Sequence, residues 1–173
     1  MVDLLHLDDL TVGFKFGALT IPVVRGVNLS VAKGEIVGVV GESGCGKSVT
    51  CMAAMGLLDD NARLGGAVRW KGTQVHPTDD AAMSRLRGRE MAMIFQDPMS
   101  ALNPVKRIGK QLIEAVQISS PTRLGRAELR KRAIGLLQDV GVPEPEKRLS
   151  SYPHELSGGL SQRVMIAMML AGD

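Results

Sequence analysis

A short apolar run, Glu35 to Val40 (EIVGVV), passes without a break into GESGCGKS, Gly41 to Ser48, and then into KSVTCMAAMGLL. No other feature restricts the possible folds of this chain so tightly. The apolar run is short and nearly continuous, which predicts a strand buried on both faces of a parallel sheet. The segment from Lys47 onward reads as a helix, ended by DDNARLGG. Between them, Gly41, Gly46, Lys47 and Ser48 satisfy G-x-x-x-x-G-K-[ST] in its strand-to-helix setting. Glycines let the main chain approach a ligand closely. Successive amides of Gly41, Glu42, Ser43, Gly44, Cys45, Gly46, Lys47, Ser48 and Val49 then converge on anionic oxygens, helped by the partial positive charge of the helix start. Lys47 is placed to reach the β- and γ-phosphates of a nucleotide, and the Ser48 hydroxyl to ligate Mg²⁺. The reading is a phosphate site.

The remainder predicts an α/β chain. LLHLDDLTVGF and VVRGVNLSV are β-rich, AVRWKG suggests an edge strand, DDAAMSRLRGRE a short helix and MAMIF a second buried strand. From Pro98 the character changes. KRIGKQLIEAVQI and RAELRKRAIGLLQDVG carry apolar residues at helical spacing, set apart by the Pro-containing QDPMSALNP. The expected organisation is a nucleotide-binding core over residues 1–97, a helical subdomain over 98–157, and a helix over 158–173 that begins the rest of the core.

Composition excludes several classes. A formal charge of +3 with scattered basic residues gives no stripe for nucleic acid. Cys45 and Cys51 form neither a metal-ligand nor a disulfide pattern, which points to a reducing compartment. Cys45 reads as a small space-filling residue of the loop and Cys51 as a core residue. His6, His76 and His154 are isolated, and Trp70 and Tyr152 read as packing residues. The start of the chain lacks the basic-then-apolar order of a signal peptide. The longest apolar run, VMIAMML, falls well short of the roughly 20 residues of a bilayer span.

A second diagnostic stretch, LSGGLSQR from Leu156 to Arg163, resembles the signature motif of ABC-type ATPases. With the glycine loop before it and FQDPMSALNP resembling the Q-loop region between, the resemblance spans essentially the whole chain. SYPHELSGG further resembles ATP-binding subunits of the dipeptide/oligopeptide/nickel importers. Ser157 is suited to N-cap a helix whose first residues, Gly158 and Gly159, leave its amide end open to an anion.

The resemblance implies a P-loop NTPase core with an N-terminal antiparallel β part and a helical subdomain. It implies ATP and Mg²⁺ as cofactors, with Ser157, Gly158, Gly159 and Gln162 facing the γ-phosphate held by a second ATPase subunit, in a homo- or heterodimer. Lys47 and Gln96 take catalytic roles, Gln96 approaching Mg²⁺ and the attacking water. Phe14, or Phe16 in its place, stacks on adenine or packs in the core. Two membrane permease subunits and a solute-binding protein are the implied partners, peptides or nickel the cargo, and the cytoplasmic face of the plasma membrane the location.

The sequence departs from the family at its end. The family's Walker B strand with its Asp-Glu pair, D-loop and switch histidine follow the signature and do not occur before Asp173. A truncated chain that binds nucleotide weakly and aggregates is therefore expected, because a strand beside the P-loop strand would be missing. Two other readings remain open: an ABC ATPase outside transport, and a catalytically silent nucleotide-binding module.

Overall fold

A computed structural model describes residues 3–172. The chain divides into two compact units, residues 1–84 and 85–173.

The first unit is built on a four-stranded sheet in the order β2-β1-β3-β4, from β1 (Leu5–Phe16), β2 (Leu19–Val31), β3 (Ala62–Trp70) and β4 (Thr73–Val75). All its pairings are antiparallel. In β1 the buried residues are Leu7, Leu10, Val12 and Gly13, a pattern that breaks strict alternation. The break is a bulge: register shifts after Leu7 against β2 and after Asp8 against β3. Asp9 there adopts φ 46° and its amide donates to Asn28 Oδ1 at 2.9 Å. The extra residue turns Leu10 back onto the face that Leu7 already occupies. Helix α1 (Lys47–Ala54) lays Ala53 and Ala54 on that face, where they join Leu7, Leu10, Val12, Val24 and Val68 in one core.

Three expectations are corrected in this unit. Residues 35–40 form no strand, and Ile36 and Val40 are 98% and 93% exposed. A parallel strand needs neighbours for its amides, carbonyls and both side-chain faces. None of the described strands pairs with this run. AVRWKG lies largely within β3, an inner strand, because the short β4 adds outside it. Cys51 is exposed, since only Ala53 and Ala54 of α1 are buried.

Helix α2 (Asp80–Leu86) runs across the division between the units. The second unit is helical: α3 (Pro98–Ala101), α4 (Ile108–Ser119), α5 (Arg126–Asp139), α6 (Pro145–Arg148) and α7 (Gly158–Met169). Buried residues recur every four positions, Ile108, Leu112 and Val116 on α4 and Leu129, Ala133 and Leu137 on α5. That spacing places them along one helix face. Ile108, Leu112, Ala133 and Leu137 meet Val164 and Ala167 of α7 in a common core. The first amides of α4 are satisfied by distant carbonyls: Ile108 N donates to Ser151 O and Gly109 N to Leu149 O, both at 2.9 Å. MAMIF is the second correction of a strand. Only Met91 is buried, through an isolated bridge with Arg87, while Ile94 and Phe95 stand 53% and 37% exposed. No helix among the described residues is long and apolar enough to cross a membrane.

Candidate functional site

The glycine loop precedes α1 directly. Gly44 and Gly46 take φ of 80° and 95°, the left-handed region that side chains rarely enter. Gly46 is the N-cap of α1 and makes no side-chain cap bond. Cys45 N donates to Glu42 O at 3.4 Å and Thr50 N to Gly46 O at 2.8 Å. Between these braces, the amides of Gly44, Gly46, Lys47 and Ser48 have no hydrogen-bond partner among the described residues. An uncapped helix start with free amides favours negative charge nearby.

Lys47 is turned onto the loop itself. Its Nζ donates to Gly41 O at 2.8 Å and Glu42 O at 2.7 Å, and lies 3.5 Å from Cys45 Sγ. Gly41 leaves room for that sulfur, since a Cβ there would sit 2.8 Å from it. The structure therefore brings together Gly41, Glu42, Cys45 and Lys47. Glu42, Ser43 and the Ser48 side chain stand exposed, and Val49 is half-buried against the sheet core. Behind the loop is a cavity of about 660 Å³ lined by Leu7, Val23, Val39, Gly46 and Ala54 among others. Its lining is largely apolar, with Arg25, Asn28, Lys47 and Thr50 as the polar and charged contributors. Phe14 is half-buried against the same core, and Phe16 at the end of β1 is 59% exposed.

In the second unit, Ser157 N-caps α7, its Oγ accepting from Leu160 N at 3.4 Å. Gly158, Gly159 and Gln162 are exposed on the first turns of that helix. A Cβ at either glycine would meet nothing within 4 Å, so the amide end is unobstructed. The approach to the cap is stiffened by Glu155, whose Oε2 accepts from Tyr152 N at 2.7 Å. Gln96 is exposed, and its side chain makes no hydrogen bond among the described residues. The next residue, Asp97, N-caps α3 by accepting from Met99 N at 2.9 Å.

Two supporting residues were not anticipated from the sequence. Arg163 donates through Nη1 to Val140 O at 2.6 Å, fastening α7 to the end of α5. Gln111, 4% exposed, accepts from Asn103 N at 2.9 Å and donates to Asn103 O and Lys106 O at 3.0 and 2.9 Å. It pins the loop between α3 and α4. Neither carries a local signal, because every acceptor and donor they use is a main-chain group.

A glycine loop opening a helix in the first unit, and a capped Ser-Gly-Gly helix start in the second, are the features of a P-loop nucleotide-binding protein of α/β class. The family described as ABC transporter matches residues 24–173, and the chain belongs to it. The oligopeptide transport ATP-binding protein OppD of Mycobacterium tuberculosis is 46% identical over 173 residues, covering 100% of this chain and 28% of that protein. A probable peptide ABC transporter ATP-binding protein of Sinorhizobium fredii, y4tR, is 45% identical over 170 residues, covering 97% and 50%. OppD of Bacillus subtilis is 42% identical over 172 residues, covering 98% and 48%. The chain thus spans half or less of these relatives. The dimeric ABC transporter cassette MJ0796 superposes with a TM-score of 0.84 at 27% identity, covering 97% of this chain and 69% of that one. The same cassette is also known in a dimeric post-hydrolysis state bound to ADP and Pi.

Proposed function

We propose that this chain is the nucleotide-binding part of the ATPase subunit of a peptide importer. The observation that carries the reading is the uncapped start of α1 with the free amides of Gly44, Gly46, Lys47 and Ser48. These amides bind the phosphate tail of ATP, and Lys47 exchanges its loop carbonyls for phosphate oxygens. The fit to Mg²⁺ rests on the exposed Ser48 hydroxyl in the first turn of α1. Bound there, the ion supplies charge neutralisation at the phosphates. Phe14 faces the adenine, and Gln96 orients the attacking water.

Ser157, Gly158, Gly159 and Gln162 present the open end of α7 to nucleotide held by a second ATPase subunit. The dimeric neighbour and the 27% identity to it support this pairing. The likeness to ATP-binding proteins of oligopeptide and peptide transport supports coupling to peptide uptake. Two membrane permease subunits and a solute-binding protein that delivers cargo complete the proposed assembly. The protein then works at the cytoplasmic face of the membrane, with residues 98–157 as the helical subdomain that receives the permeases.

The test is equilibrium binding of a fluorescent ATP analogue, with Mg²⁺, to the wild-type chain and to Lys47→Ala, followed by steady-state ATP hydrolysis with Gln96→Ala alongside. The reading expects saturable binding displaced by ATP, weakened about tenfold or more in Lys47→Ala and retained in Gln96→Ala. Equal binding by Lys47→Ala and wild type would overturn it.

A further inference from the structure

Just ahead of the capped start of α7 lies a stack of three side chains. The Arg107 guanidinium carbon sits over the Tyr152 ring, 5.4 Å from its centroid. The Tyr152 and His154 rings lie nearly parallel, with 13° between their planes and 5.6 Å between centroids. Both separations fall in the range of favourable cation–π and ring–ring contacts. Arg107 is the N-cap residue of α4 but makes no side-chain cap bond, which leaves its guanidinium to the ring. Arg107 and His154 are exposed and Tyr152 is half-buried.

The main chain beneath the stack is held on both sides. Toward α4, Ile108 N donates to Ser151 O, the carbonyl just before Tyr152, and a Cβ on Gly109 would come within 2.7 Å of Leu149 O. The two segments are in backbone contact there. Toward α7, Glu155 N donates to Tyr152 O at 3.0 Å and Glu155 Oε2 accepts from Tyr152 N at 2.7 Å, closing a short turn over Pro153–Glu155. Leu156 packs on the helical core, and Ser157 caps α7 at the next position. A stack whose end members are exposed adds little to the burial that stabilises this unit, because that burial is carried by residues such as Ile108, Leu112 and Val164. What it fixes is orientation.

We infer that Arg107, Tyr152 and His154 position the Ser157-Gly158-Gly159 start of α7 for nucleotide held by a second ATPase subunit. This role rests on the pairing proposed for α7. The stack acts through the main chain. A fixed Tyr152 ring sets the turn over residues 153–155, and that turn sets the direction in which the Ser157 cap and the open amides face. All three are positioning residues and do not touch nucleotide.

The experiment measures pairing of the full chain by sedimentation, with a non-hydrolysable ATP analogue and Mg²⁺. Analogue binding is measured alongside, at dilutions where the chain is single, and circular dichroism checks folding. Arg107→Ala and Tyr152→Leu should weaken nucleotide-dependent pairing about fivefold and leave analogue binding by the single chain unchanged. Arg107→Lys and Tyr152→Phe keep a cation and a ring, and should pair within about twofold of wild type. A side chain that only filled space would be replaced as well by Leu as by Phe. Because Arg107 is exposed, Arg107→Ala decides the matter even if Tyr152→Leu does not fold. Equal pairing by Arg107→Ala and wild type, or equal losses in Arg107→Ala and Arg107→Lys, would overturn the stack alone. A wild-type chain that binds the analogue but never pairs would overturn the role of α7 toward a second subunit, and the stack's role with it. No analogue binding by wild type would overturn the glycine-loop reading and both of these together.

Discussion

Lys47 Nζ donates to the Gly41 carbonyl oxygen at 2.8 Å, so the ammonium closes the loop that its own backbone opens. The bond to Glu42 O at 2.7 Å completes a small ring of charge and carbonyls. A phosphate tail must compete for that ammonium, which makes Lys47 both a latch on the loop and a ligand.

Replacing Lys47 by Ala therefore acts twice. Loss of one charge-assisted bond to phosphate costs about 1.5–3 kcal/mol, so affinity for ATP should fall by roughly one to two orders of magnitude. The loop should also loosen, which hydrogen exchange at Gly44 to Ser48 measures in the absence of nucleotide. Unchanged exchange would show that the latch is idle.

Gly46→Ala tests the backbone. The residue has φ 95°, and a Cβ would lie 3.3 Å from Val23 O. A side chain in this region of conformational space costs about 1–3 kcal/mol. Chemical denaturation should show a loss of that order, with ATP affinity falling as well.

Ser157→Ala removes the cap on α7 and should cost about 1 kcal/mol, while Ser157→Asp should restore most of the stability. Because the cap is exposed, both variants should remain folded. Thermal unfolding of the pair separates the capping role from any role toward nucleotide, which Ser157→Asp would impair by repulsion.

Gln111→Leu keeps the volume and removes three hydrogen bonds. Asn103 N and Lys106 O then lose their partner beside a buried side chain, while Asn103 O keeps its bond from Lys106 N, and the cost is about 1–3 kcal/mol. A denaturation midpoint equal to wild type would mean that the clamp contributes nothing.

Ile36→Thr with Val40→Thr probes the unpaired run. Both residues are almost fully exposed, so the stability of this 173-residue chain should change by about 0.5 kcal/mol or less. Concentration-dependent light scattering should fall, since an exposed, unpaired apolar run is a template for association.

The parts of the fold legible in the sequence were those encoded locally. Ser157 was expected as a cap and is one, and the helices of the second unit follow from apolar spacing on either side of SSPTRLG. The glycine loop was read from residue types alone, because positive φ and a helix start leave few alternatives. What was misread depends on neighbours. Glu35 to Val40 has the composition of a buried parallel strand, yet strand character is realised only by pairing, and none of the described strands lies alongside it. Val68 was assigned to an edge strand because the three residues of β4 are too few to announce themselves. Cys51 looked apolar, but α1 is short and its buried face is carried by Ala53 and Ala54. Gln111 and Arg163 act on main-chain carbonyls, which are the same in every sequence and leave no pattern to read.

The antiparallel sheet of the first unit satisfies its own hydrogen bonds from β1 to β4, without drawing on residues 35–40. Solvent deuterium should thus enter the unit in two waves: at once along Ile36 to Val40, and only on global opening at Leu7, Val12 and Val68.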